Sequence, residues 1–144
     1  MGGSRLRPPR TATPLLLDTH AWVWWVAGSR ELPNRTRRQV QAAFAEDRLW
    51  VCAISAWEVA LLVQRGRLAL RLPVREWVSR SEALSGLHFL PIDVTIALRA
   101  VELAGLHQDP ADRMIVASAE LLGAALVTRD ERLRAYSGIA TAWD

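Results

Sequence analysis

The sequence predicts an α/β domain: a three-layer α/β/α sandwich around a central parallel sheet of four to five strands. Three observations carry this. After Pro14, short apolar runs alternate with stretches of helical period. The runs are apolar nearly throughout, not at every second residue, as strands covered on both faces must be. Acidic residues also recur just past the ends of these runs, where an open parallel sheet presents its binding rim.

The elements follow in order. "LLL" at 15–17 reads as the first strand and runs into Asp18. Residues 20–27 and 35–46 read as helices separated by Gly28 and Pro33. "LWVCAIS" at 49–55 is a second strand, and 56–65 an amphipathic helix stopped by Gly66. Pro73 opens a further helix, 74–84, before a third strand, "LHFLPI" at 87–92. A helix over 94–104 ends at Gly105, and another spans 110–122. "AALVT" at 124–128 is a fourth strand, 131–136 a short helix, and "IATAW" closes as a fifth strand. Residues 1–13 are rich in Gly, Pro and Arg without periodicity. They read as a flexible basic N-terminal arm or a start-site extension, leaving a single domain over 14–144.

Composition narrows the class. About half of the 144 residues are hydrophobic, enough for a core. One Cys excludes an intramolecular disulfide framework and fits a reducing compartment. No apolar signal region precedes Leu15, and no apolar run approaches the roughly 20 residues of a membrane span. A soluble, cytoplasmic protein without membrane contact is the expectation. The 18 Lys-plus-Arg positions are all Arg, against a formal charge of +3. Arg forks onto phosphate, so the charge permits a nucleic-acid partner without requiring one.

The acids set the chemistry. Asp18 follows the first strand and Asp130 the fourth, Glu58 lies one turn into the helix after the second, and Asp109 and Asp112 open the helix before the fourth. Each has a local reading. Ser55-x-x-Glu58 is a capping box, Asp109-Pro-Ala-Asp112 a favourable helix start, and Thr128 or Asp130 a cap for the last helix. Asp18 has the weakest local reading, since Thr19 can cap the next helix without it. Local capping does not predict that all these acids share one rim. Carboxylates so gathered repel unless a cation lies among them, and hard divalent cations take oxygen ligands.

"LLLDTHAW", "ISAWEVALLVQRGRLAL", "HQDPADRMIVASA" and "LVTRDERLRAY" together resemble the successive motifs of the PIN-domain family, in particular its VapC-type toxin branch. The order and spacing match over nearly the whole chain after Pro14. The resemblance implies a PIN-like α/β/α sandwich and a Mg²⁺- or Mn²⁺-dependent endoribonuclease that hydrolyses RNA to a 5′-phosphate and a 3′-hydroxyl. It implies inhibition by a cognate VapB-like antitoxin, and a homodimer. It carries the acidic set onto Asp18, Glu58, Asp112 and Asp130 as catalytic and metal-binding residues, with Asp18 and Asp112 the main ligands. Asp109 and Thr128 are accessory. Two departures stand out: the N-terminal arm, and Ala111 where the branch more often has a large apolar residue.

Other side chains have less defined roles. Arg113 and Arg129 either contact RNA phosphate or balance the neighbouring acids. His20 and His107 read as solvent-facing or hydrogen-bonded rather than catalytic. Cys52, Trp57 and Trp77 read as core. Trp22, Trp24 and Trp25 cannot all face one core, because adjacent helical residues point about 100° apart. With the apolar face of the 56–65 helix they form the candidate antitoxin surface. Two alternatives compete: a Mg²⁺-binding phospho-accepting receiver, which normally needs a late Lys that this chain lacks, and a catalytically silent PIN fold that binds RNA or protein, which retention of all four acids opposes.

Overall fold

The computed structural model describes residues 13–144. The arm expected over 1–13 lies outside the described residues except for Thr13, whose carbonyl accepts from the Arg48 guanidinium at 2.8 Å.

Among the described residues, five strands alternate with seven helices: β1 (Leu15–Leu17), α1 (Thr19–Ala27), α2 (Asn34–Ala45), β2 (Leu49–Cys52), α3 (Ile54–Gln64), α4 (Val74–Glu82), β3 (Leu87–Leu90), α5 (Val94–Glu102), α6 (Pro110–Leu122), β4 (Ala125–Val127), α7 (Glu131–Ala135) and β5 (Thr141–Ala142). The sheet order is β3-β2-β1-β4-β5 and every pairing is parallel. The chain therefore winds outward from β1 to one edge, then returns to the other side of β1. The order differs from the 2-1-3-4-5 of flavodoxin-like receivers, and the receiver alternative fails on topology.

Strand side chains alternate between two cores. Leu15, Leu17, Leu49, Val51 and Val127 join Trp22, Val40, Val59 and Trp77 on one face. Leu16, Cys52 and Leu126 join Ile96, Ile115, Val116 and Leu133 on the other. Helices thus cover both faces, which is why the strands read as unbroken apolar runs. Trp22 anchors the first core, fully buried 4.6 Å from the Trp77 ring and 5.4 Å from Phe89.

One boundary departs from the sequence expectation. β2 ends at Cys52, not at residue 55, because Ala53 already turns into helical φ/ψ. Apolar residues continue across that junction, so hydropathy carries no signal for it. Gly28 ends α1 as expected: at φ +65 it lets its own N–H and that of Ser29 bond back to the carbonyls of Trp25 and Trp24.

Candidate active site

Parallel strands place their carboxyl ends on one rim, and the reversal of winding opens a crevice between β1 and β4. Asp18 leaves β1 there, and Thr128 and Asp130 follow β4. The N-terminal parts of α3 and α6 bring Glu58, Asp109 and Asp112 to the same opening. The resulting cleft, about 360 Å³, is lined by Asp18, Glu58, Asp109, Asp112 and Asp130, with Thr19, His20, Trp24, Arg129 and Arg132. All four acids expected to act, and accessory Asp109, are brought together.

Three of these carboxylates are N-caps. Asp18 Oδ1 accepts from the Ala21 amide at 2.9 Å, Asp109 Oδ1 from the Asp112 amide at 2.9 Å, and Asp130 Oδ1 from the Arg132 amide at 2.8 Å. The caps expected at Asp109 and Asp130 are present. At Asp18 the expectation is corrected: Asp18 itself caps α1. Thr19 instead points its hydroxyl at the Glu58 carboxylate and lies 2.9 Å from Ser55 Oγ. The Ser55–Glu58 capping box is also absent. Because α3 starts at Ile54, both residues lie inside the helix, and Ala53 at its N-cap makes no side-chain bond.

Electrostatics set the acids apart. Burial raises the Asp18 carboxyl to about 6, against the lowering effects of Thr128, the Ala21 amide and His20, while Asp112 adds to the rise. Burial also raises Glu58, with further upward pressure from Asp112, Asp109 and Asp18. Asp112 is raised by burial and by Asp109, although His107 Nε2 lies 2.8 Å from its Oδ2 and opposes the shift. At Asp130 burial pushes upward, but the Arg132 side chain and the backbone amides of Arg132 and Leu133 outweigh it, leaving the carboxyl below its ordinary value. Accessory Thr128 is fully buried and accepts from the Asp130 amide at 3.1 Å, so it braces two acids at once.

Oxygen donors, mutual repulsion and raised carboxyls match the needs of a hard divalent cation. Among the described residues no three His, Cys, Asp or Glu side chains stand at ligating distance of one point. Mg²⁺ commonly takes only one or two protein carboxylates and keeps several waters. Asp18 and Asp112, whose charges act on each other, fit that requirement.

The basic expectations divide. Arg113 does not face the cleft. It is buried, and its guanidinium donates to the carbonyls of Ala100, Val101, Leu103, Leu106 and His107, satisfying the end of α5 and the loop after it. Phosphate contact by Arg113 is thereby excluded, as is pairing with an acid. Arg129 does line the cleft, where it pairs with Glu31 rather than with Asp130.

Sequence reasoning missed Arg132, Thr19 and Trp24 as parts of the site, whereas His107 is hydrogen-bonded as expected, to Asp112. The i, i+4 spacing of His20 and Trp24, which puts both on one face of α1, was the readable sign for Trp24. The tryptophan expectations need two corrections. Trp22 is fully buried and offers no surface, whereas Trp57 is 56% exposed, because α3 turns that face outward. Trp77 is core as expected. Trp25 is half-buried in a separate apolar groove with Val26, Phe44, Leu72 and Leu84.

A parallel α/β/α domain with five acids gathered at its switch point defines the fold class. The chain belongs to the PIN domain family, whose model matches residues 15–139. It is 36% identical over 125 residues to Ribonuclease VapC22 of Mycobacterium tuberculosis (strain ATCC 25618 / H37Rv), covering 86% of this chain and 92% of that protein. A DNA-bound VapBC from Salmonella typhimurium superposes with a TM-score of 0.63 at 23% identity, over 90% of this chain and 97% of that one. VapBC2 from Rickettsia felis, bound to a promoter DNA fragment, gives 0.66 at 17% identity, over 92% and 100%. At these identities the structural likenesses speak for the fold.

Proposed function

We propose that this protein is a divalent-metal-dependent endoribonuclease, a VapC-type toxin whose activity is restrained by a VapB-like antitoxin. The observation that carries the reading is the convergence of Asp18, Glu58, Asp112 and Asp130 on one switch-point cleft. The 36% identity to a protein named as a ribonuclease supports it. Asp18 and Asp112 would hold Mg²⁺ or Mn²⁺, with Asp130 completing the set. Bound there, the ion supplies positive charge to lower the pKa of water and to stabilise charge developing on a phosphodiester. Glu58, fixed by the Thr19 hydroxyl, orients the attacking water and accepts its proton. Thr128 and His107 hold Asp18 and Asp112 in place. Arg132 keeps Asp130 ionised.

An antitoxin would cover exposed apolar surface. Trp57 and the groove holding Trp25 replace the tryptophan trio as that surface. The test is cleavage of single-stranded RNA by wild type and Asp18→Asn, in Mg²⁺ or Mn²⁺ and in EDTA. Fragments with 5′-phosphate ends are expected only from wild type with metal. Undiminished cutting in EDTA or by Asp18→Asn would overturn the assignment.

A further inference from the structure

One wall of the cleft has no part in the chemistry above. Trp24 lines it, one helical turn beyond His20, with the two rings 5.5 Å apart. The Arg129 guanidinium lies over the Trp24 ring, 4.5 Å from its centroid, and pairs with Glu31. The Trp143 ring centroid lies 6.0 Å from that of Trp24, tilted against it. Trp22 and Trp25 use their indole N–H groups on Ser81 and Gln41. Among the described residues the Trp24 indole N–H has no partner, and the ring is only half-buried.

We propose that Trp24, flanked by His20, is the stacking platform for a nucleobase of single-stranded RNA beside the scissile phosphate, with Arg129 moving from the ring to a backbone phosphate as the base arrives. This rests on the endoribonuclease reading. Five acids outnumber the two arginines of the cleft, one of them tied to Asp130, so away from a bound cation RNA affinity must come mainly from contacts that negative charge does not oppose. Base stacking on an aromatic face is one, and an Arg on phosphate is another. Arg132 is committed to Asp130, with which it shares two contacts. Among the described residues Arg129 is held by an exposed ion pair and a surface cation–π contact, each weaker than a base stack. The exchange therefore favours the base. A duplex, whose bases are already stacked, cannot use this wall.

The test uses a short single-stranded RNA that wild type cleaves, and copies with one abasic nucleotide at each position flanking the cut. Binding is read by fluorescence anisotropy in an Asp18→Asn background, where the RNA is not turned over. Trp24→Ala should weaken binding on the order of 10-fold, and Trp24→Phe should recover most of the loss. At one flanking position the abasic copy should cost the Trp24-containing protein a similar factor and the Trp24→Ala protein almost nothing. In cleavage by otherwise wild-type protein, the change should fall mainly on KM. If Trp24→Ala does not fold, Trp24→Leu fills the space without a π-face and takes its place. Equal abasic penalties with and without Trp24 would overturn the inference while leaving the nuclease reading intact. Failure of wild type to cut any RNA would overturn both.

Discussion

Removing the charge of Asp18 should stabilise the metal-free protein while abolishing its activity. Burial lifts this carboxyl from 3.8 to about 6. The sign follows from proton binding. Well below its ordinary value of 3.8 the group is protonated in folded and unfolded chains alike and costs nothing. Between about pH 4 and 6 the unfolded chain ionises while the folded one keeps its proton, so stability falls; above 6 the folded state carries the full cost of a charge held against burial and Asp112. Two pKa units correspond to about 3 kcal/mol, an upper bound on the penalty at pH 7.5. Asn caps a helix about as well as Asp, so the bond to the Ala21 amide survives Asp18→Asn. Losing the attraction to His20 and the Thr128 contact returns part of the gain, leaving about 1–2 kcal/mol. For a chain of this size that is a rise in Tm of roughly 3–7 °C. Thermal melts in EDTA at pH 7.5 and pH 3 test this: the variant should melt higher at pH 7.5 and within error of wild type at pH 3. Adding MgCl₂ at pH 7.5 should raise wild type and leave the variant unmoved, because only a ligand bound by the folded state shifts the midpoint. A variant that melts lower than wild type at pH 7.5 in EDTA would show that the charge is already accommodated, and the electrostatic argument for a cation would fail.

Three further outcomes follow. Glu58→Gln keeps an oxygen for the Thr19 hydroxyl and relieves a raised carboxyl, so its Tm should equal or exceed that of wild type while RNA cleavage falls at least about 100-fold in a gel assay. Arg113→Met leaves five buried or part-buried carbonyls without their donor and should cost about 3 kcal/mol or more, measured by urea unfolding. Trp57→Ala, at a 56% exposed position, should weaken binding of the co-encoded antitoxin by about 10-fold or more in a titration, as truncating an aromatic anchor does.

Element order was legible because hydrophobic period and the Gly and Pro positions agree along the chain. Gly28 and Gly123, both at positive φ, end their helices where the sequence places the stops. The β2–α3 junction was not legible, since "LWVCAIS" is apolar on both sides of Ala53. Asp18, Glu58, Asp112 and Asp130 were legible as a group through their relation to strand ends. Their supports were not. His107 and Arg113 meet Asp112 and the α5 carbonyls only after the 103–109 loop folds back, and a lone His or Arg in sequence does not reveal its partner. Trp57 misled because tryptophan in an apolar helix reads as core, while the helix face that reaches the sheet is decided by packing against both layers.

Capping and the proposed chemistry fall on the same residues for a physical reason. A parallel sheet aligns the N-termini of its following helices on one rim, and each N-terminus wants an oxygen acceptor. Asp18, Asp109 and Asp130 meet that need with one oxygen on a backbone amide. The amides and dipole ends in turn offset part of the repulsion among the carboxylates, which lets the fold gather five acids before any cation binds. At Asp18 the offset is incomplete, as its rise to about 6 records. At Asp130, with Arg132 added to the amides, it is more than complete. The cleft therefore runs from an acid that prefers neutrality to one that holds its charge firmly. On the proposed reading a divalent cation would gain most electrostatic relief beside Asp18 and Asp112, so the reacting phosphate would lie at that end, next to Glu58, with the Asp130 end left to position it.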